Sequence, residues 1–139
     1  MAYWLFKSEP GAWSWQDQVD SKKSTAEWDG VRNYQACNNM KAMKIGDKGF
    51  FYHSVNEKKI VGIVEVVKEY YPDPSDDSGR FGMVDVKAIK PLESSVSLED
   101  IKGKKSLQNI ALVRQSRLSV MPIDTRSWKI ICKMGGVST

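Results

Sequence analysis

Hydrophobic and polar residues follow two periods along this chain, one of two residues and one near 3.6, and the two interleave. Tyr3 to Lys7 is a short aromatic run that ends in Lys-Ser-Glu-Pro, which predicts a first strand. Gly49 to Ser54, Ile60 to Val67 and Met83 to Leu92 are rich in β-branched and aromatic residues, with Asn56-Glu-Lys-Lys as the turn between the first two. A strand meander is therefore expected mid-chain. In its third run Val84, Val86 and Ala88 alternate with Asp85 and Lys87, giving one buried face and one wet face. Ile60 to Val67 is apolar on both faces except at Gly62 and Glu65, the pattern of a strand inside a closed sheet.

Helical spacing fills the gaps. Ser14-Trp-Gln-Asp17 has the form of a capping box and opens a short helix toward Val19. A longer helix is expected from Val31 to Met43, with Ala36, Met40 and Met43 on one face, Asp29 accepting from first-turn amides, and Gly46 just past the end. Ser97-Leu-Glu-Asp100 starts another, with Leu107, Ile110 and Ala111 on its apolar face and Arg114 to Arg117 leading into Leu118–Val120. The last helix begins at Asp124, buries Trp128, Ile131 and Cys132, and ends at Gly135, leaving a frayed tail. Tyr71 to Gly79 is acidic and turn-prone, so it reads as a mobile loop.

Composition narrows the class. A chain of 139 residues without repeats or linkers fits one domain, residues 1–139. No apolar run approaches the roughly 18 residues of a membrane span, so a soluble protein with no membrane partner is expected. Ala2-Tyr-Trp-Leu-Phe6 is too short and aromatic for a signal peptide and should remain in the mature protein. Cys37 and Cys132 are too few for a disulfide framework, and with one histidine they lack zinc spacing. These observations point to a reducing, intracellular setting and to no metal.

The net charge of +4 is unevenly spread: residues 1–101 carry −3, whereas residues 102–139 carry +7, with Asp124 their sole acid. Lys102, Lys104, Lys105, Arg114, Arg117, Arg126, Lys129 and Lys133 are therefore candidates for a phosphate-attracting face, with a solvated surface as the competing reading.

The densest chemistry lies in Trp28-Asp-Gly-Val-Arg-Asn-Tyr-Gln-Ala36. Trp28 and Tyr34 offer π-faces, Asn33 and Gln35 offer amides, and Arg32 can fork onto phosphate or carboxylate. That inventory suits a flat polar ligand such as an extruded nucleobase. Each residue has a structural rival: aromatics are more often core, and Asn33 could merely cap a helix, although Asp29 is the expected cap. His53 and Ser54 suggest a small hydrolase, but neighbours on a strand face opposite sides, so His53 is poorly placed to activate Ser54. Cys37 falls on an apolar helical face, where an inert thiol is commoner. No phosphate-binding loop or dinucleotide glycine motif is present, so no cofactor and no catalysis are expected.

Lys7-Ser-Glu-Pro10, Trp28 to Ala36, Tyr52-His-Ser54, Tyr71-Pro-Asp73 and Arg117-Leu-Ser-Val120 occur in the order in which the EVE domain family has them, so the chain resembles that family almost end to end. One departure is Cys37, where an arginine would be expected. The resemblance implies an α+β fold: a PUA-like twisted β-barrel of five to six strands with flanking helices. It also implies a non-catalytic reader of a modified base, in DNA or alternatively in modified or structured RNA. Its pocket would be drawn from Ser8, Trp13, Trp28, Asn33, Tyr34, Tyr52, His53, Leu118 and Ser119. Lys7, Arg32, Arg114 and Arg117 would hold phosphates. Any downstream action is expected to need a separate effector protein.

Overall fold

The computed structural model describes residues 1–138. In chain order it contains β1 (Tyr3–Ser8), α1 (Trp15–Asp20), β2 (Thr25–Glu27), α2 (Tyr34–Lys41), β3 (Lys48–His53), β4 (Lys59–Pro72), β5 (Gly82–Ser97), α3 (Leu98–Lys102), α4 (Ala111–Arg114), β6 (Val120–Ile123) and α5 (Thr125–Met134). Short 3₁₀ turns lie at Lys22–Ser24 and Lys105–Leu107. The six strands form one mixed sheet in the order β2-β5-β4-β3-β1-β6. Only β1 and β3 run parallel, with Phe6 opposite Phe51. Pairing runs from β2 to β6 without joining those two edges, so the expected barrel is an open sheet and the fold is α+β. Register shifts recur along β4 and β5, and such irregularities add twist to the long central pair.

Side-chain alternation explains which faces close over the core. Val84 and Val86 on β5 are buried while Lys87 is exposed, as the two-residue period requires. β3 is buried almost throughout and the first half of β4 is buried or half-buried, consistent with their central places in the sheet. On one side Tyr3 and Phe50 sandwich Trp128 of α5, with ring centroids 4.4 and 4.0 Å apart. On another, Trp15 of α1 lies against Gly62, where an added Cβ would sit 2.5 Å from the indole, and meets Phe51 edge-on at 5.4 Å. A glycine at position 62 is thus what lets α1 seat on the sheet.

Several local signals act as the sequence predicts. Ser14 and Asp17 form a capping box at α1, Ser97 and Asp100 form another at α3, and Asp124 caps α5 by accepting from the Ser127 amide. Three expectations need correction. First, α2 starts at Tyr34 and not Val31, and its cap is Asn33, whose Oδ1 accepts from the Ala36 amide at 2.8 Å. Residues before it are held extended instead, because the Trp28 amide bonds Val84 O and the Gly30 amide bonds Asp73. Second, the long helix expected after Ser97 is broken into α3, a 3₁₀ turn and α4. Gly103 caps α3, and the Gln108 amide donates to the carbonyls of Ile101, Lys102 and Lys104, giving the backbone a non-helical alternative. Third, the loop after β4 is pinned by Asp73, which is 2% exposed.

At the C-terminus Val137 donates to Cys132 O at 3.0 Å and packs on the core, so that part of the tail is not frayed. Thr139 lies outside the described residues. Cys37 and Cys132 are both free and buried. Among the described residues no helix is long and apolar enough to cross a membrane.

Candidate nucleic-acid interface

A cleft of about 1030 Å³ opens where the end of β1, the approach to α1, β2 and the Trp28–Arg32 segment meet. Lys7, Ser8, Trp13, Trp28, Arg32 and Ser119 all line it, although they come from four separate stretches of sequence. Backbone and side-chain bonds bring them together. The Lys7 amide donates to Ser119 O at 2.8 Å, the Ser54 amide donates to Ser8 O at 2.9 Å, and the Ser8 hydroxyl donates to Trp13 O.

Gln18 organises one wall. Fully buried on α1, it accepts from Trp13 Nε1 at 2.9 Å and donates to Ser24 O at 2.9 Å and Val86 O at 3.1 Å. One amide thus fixes an indole, the 3₁₀ turn bearing Lys22 and Lys23, and the central sheet. Trp28 forms the apolar floor. It is 8% exposed and meets Phe6 and Phe51 edge-on at 5.2 and 5.6 Å, so it offers the cleft a firmly held part of its ring.

The charge of the cleft is balanced: Lys7, Lys22, Lys23 and Arg32 are matched by Glu9, Glu27, Asp29 and Asp85. Lys7 is half-buried, donates to Ser116 O at 2.8 Å, and lies 5.9 Å from the centre of the Tyr52 ring. Burial pushes its pKa down. Arg32 bonds Asp73 Oδ2 at 3.1 Å and Ser75 Oγ at 2.9 Å and lies over Phe81. Its guanidinium is therefore positioned by the loop after β4.

Asp73 itself accepts from the Gly30 amide, the Ser75 amide and the Ser75 hydroxyl. Burial alone would raise its pKa, but the bonds from Ser75, Gly30 and Arg32 outweigh it and hold the carboxyl well below the usual range. A depressed folded pKa contributes stability that is present above the unfolded value, near 4, and is lost as pH falls toward the folded value. Thermal melts should be nearly flat from about pH 7 to pH 5 and fall below about pH 4. Asp73→Asn should shrink that acid-side loss, and an unchanged profile in the variant would show that Asp73 is not its source.

Seven expected site residues fall outside the lining of this cleft. Asn33 spends its carbonyl oxygen on the α2 cap, a bond of the kind worth about 1 kcal/mol. Tyr34 is 59% exposed and tilts against Phe81 at 5.0 Å. Tyr52 is buried beneath Lys7, and that burial pushes its hydroxyl up to about 12. Leu118 is core. Arg114 turns into its own segment, bonding Gln108 O and Asn109 Oδ1, while Arg117 is exposed.

His53 is also enclosed: its Nε2 accepts from the Trp15 amide at 2.9 Å and its Nδ1 faces Glu57 Oε1 at 3.0 Å. Those bonds assign the proton to Nδ1 and leave no lone pair to activate Ser54 or Cys37. Cys37 Sγ instead lies 3.2 Å from Tyr70 Oη. Among the described residues no group of three or more His, Cys, Asp or Glu is arranged to hold a metal.

Sequence reasoning missed Gln18, Glu27 and Asp85. Asp85 had a signal, a polar position in an alternating strand, but alternation cannot distinguish bulk water from a cleft.

The EVE domain family model matches residues 2–134. The chain belongs to the EVE domain family. Thymocyte nuclear protein 1 of Rattus norvegicus is 35% identical over 164 residues, covering 95% of this chain and 73% of that protein. A crystal structure of a protein from Agrobacterium tumefaciens superposes with a TM-score of 0.96 at 46% identity, covering 100% of this chain and 96% of the other. The human THYN1 protein, solved in complex with 5-methylcytosine-containing DNA, has a TM-score of 0.91 at 32% identity, with full coverage of both chains. The fold is also similar to that of a YTH domain, from Zygosaccharomyces rouxii MRB1, at a TM-score of 0.58 and 18% identity over 99% of this chain and 88% of that one.

Proposed function

We propose that this EVE domain is a non-catalytic reader of a modified nucleobase in DNA, with a modified cytosine as the first ligand to test. The observation that carries this reading is the cleft itself: two tryptophans, Ser8 and Ser119, and the cations Lys7, Lys22, Lys23 and Arg32 converge in one opening. The similar human protein bound to 5-methylcytosine DNA supports the choice of polymer. In this mechanism an extruded base rests against Trp28 and Trp13, polar groups of the cleft meet its edge, and Lys22, Lys23 and Arg32 approach flanking phosphates. The cavity is ample for one base with part of its backbone.

Energetics limit how the modification is sensed. Burying one methyl is worth about 0.8 kcal/mol, roughly fourfold in affinity, whereas a hydroxymethyl or acyl group with its own hydrogen bond can discriminate further. In this reading, action beyond binding comes from a separate effector protein, and the setting is cytoplasmic.

The test is a titration of matched DNA and RNA oligonucleotides carrying cytosine, 5-methylcytosine or 5-hydroxymethylcytosine. Modified DNA should bind most tightly, with affinity falling as salt rises. Unmodified RNA binding as tightly as any modified DNA would favour the RNA-module reading instead.

A further inference from the structure

The lining of the cleft includes a carboxylate pair that a phosphate trap would not have. Glu27 of β2 stands directly opposite Asp85 of β5 in the antiparallel ladder, and both line the cleft next to Trp28. Like charges in directly opposed positions destabilise a sheet, so the pair opposes folding stability. The Trp28 amide bonds Val84 O, which holds the Trp28 main chain against β5 at the residue before Asp85.

Asp85 is also held in one orientation. Tyr71 of β4 donates its hydroxyl to Asp85 Oδ1 at 2.5 Å. Among the described residues Oδ2 makes no hydrogen bond, and it remains an open acceptor in a half-buried site. Burial raises the Tyr71 pKa first, and the bond to Asp85 raises it further, so the phenol keeps its proton and donates it in the hydrogen bond to Asp85. Lys68 covers the Tyr71 ring with its ammonium 3.8 Å from the centroid.

We infer that Asp85, positioned by Tyr71, selects bases that present an exocyclic amine, as cytosine and adenine do, over bases that present a carbonyl there. This rests on the cleft being the base site proposed above. A carboxylate accepts from the cytosine N4 amine, but opposite O4 of thymine or uracil it meets another lone pair. The same acids repel phosphate from their part of the cleft, which leaves the nucleic-acid backbone to the lysines and arginine of its lining.

Thymine and 5-methylcytosine share the C5 methyl and differ at position 4 and in ring protonation, so together they isolate this contact from methyl recognition. Fluorescence anisotropy would compare the intact protein on single strands carrying one 5-methylcytosine, cytosine or thymine at the same position. The wild type should prefer 5-methylcytosine to thymine by roughly 10- to 100-fold, the range for a hydrogen bond to a charged group. Asp85→Asn, whose amide can donate to O4, should bring that ratio to about one or invert it, since the wild-type contact supplies most of it. Tyr71→Phe should lower the ratio in part and serves as the second readout if Asp85→Asn folds poorly.

A wild-type ratio retained by both variants overturns the role of Asp85 while leaving the base-reading function intact. A wild type that binds 5-methylcytosine, cytosine and thymine strands alike defeats the base-reading function itself, and the inference with it.

Discussion

Trp28→Ala should lower stability by about 3–5 kcal/mol, the range for deleting a buried tryptophan, and should abolish modified-base binding together with it. The side chain is 8% exposed and braces Phe6 and Phe51, so its loss leaves a cavity under the cleft and not merely a missing platform. Against a total stability of roughly 5–15 kcal/mol, the variant would be marginal. Its melting temperature should drop by roughly 10–20 °C for a domain of this size. Circular-dichroism melts check this directly: a variant that melts like the wild type would place Trp28 in the cleft as a dispensable surface ring, contrary to the packing seen here.

Gln18→Leu should do comparable damage through a different mechanism. Leucine has nearly the same volume but leaves Trp13 Nε1, Ser24 O and Val86 O without their partner. Each buried polar group so orphaned costs about 1–3 kcal/mol, and partial access to water at Trp13 and Ser24 brings the total to about 3 kcal/mol. The functional loss should exceed what stability alone predicts, because Trp13 and the Lys22–Ser24 turn lose their tether. Affinity for modified DNA, measured well below the melting temperature, should fall about tenfold, equivalent to an ordering cost near 1.4 kcal/mol. Wild-type affinity in a folded Gln18→Leu protein would show that this wall does not shape binding.

How much of this was readable beforehand depends on whether a feature is local. The caps at Ser14, Ser97 and Asp124 are fixed by residues three apart, and all three form as their spacing predicts. The faces of β5 and α5 follow from periodicity for the same reason. β2 and β6, at three and four residues, are too short to show a period, and Pro122 sits in β6 at the sheet edge, where a missing amide is tolerated.

Asn33 illustrates a local rule applied one turn too early. Asp29 and Asn33 both have cap chemistry, and the choice between them is made by distant partners: Val84 O and Asp73 hold residues 28 and 30 out of the helix. The cleft followed the same logic. Ser8, Trp13, Trp28 and Ser119 could be grouped from their chemistry, but the buried amide of Gln18 that organises the wall looks like any polar helix residue. Asp85 looks like any outward strand position. His53 was ambiguous until its two ring nitrogens had named partners.

The central claim is that the modified base enters the Trp13–Trp28 cleft. A ¹H–¹⁵N NMR titration of the protein with a short DNA strand bearing one 5-methylcytosine tests it most directly. The indole N–H of Trp13 and the amides of Ser8, Gly30 and Ser119 should shift most, and more for the modified strand than for its cytosine twin. Shifts confined to the lysine-rich segment 102–133, equal for both strands, would contradict it.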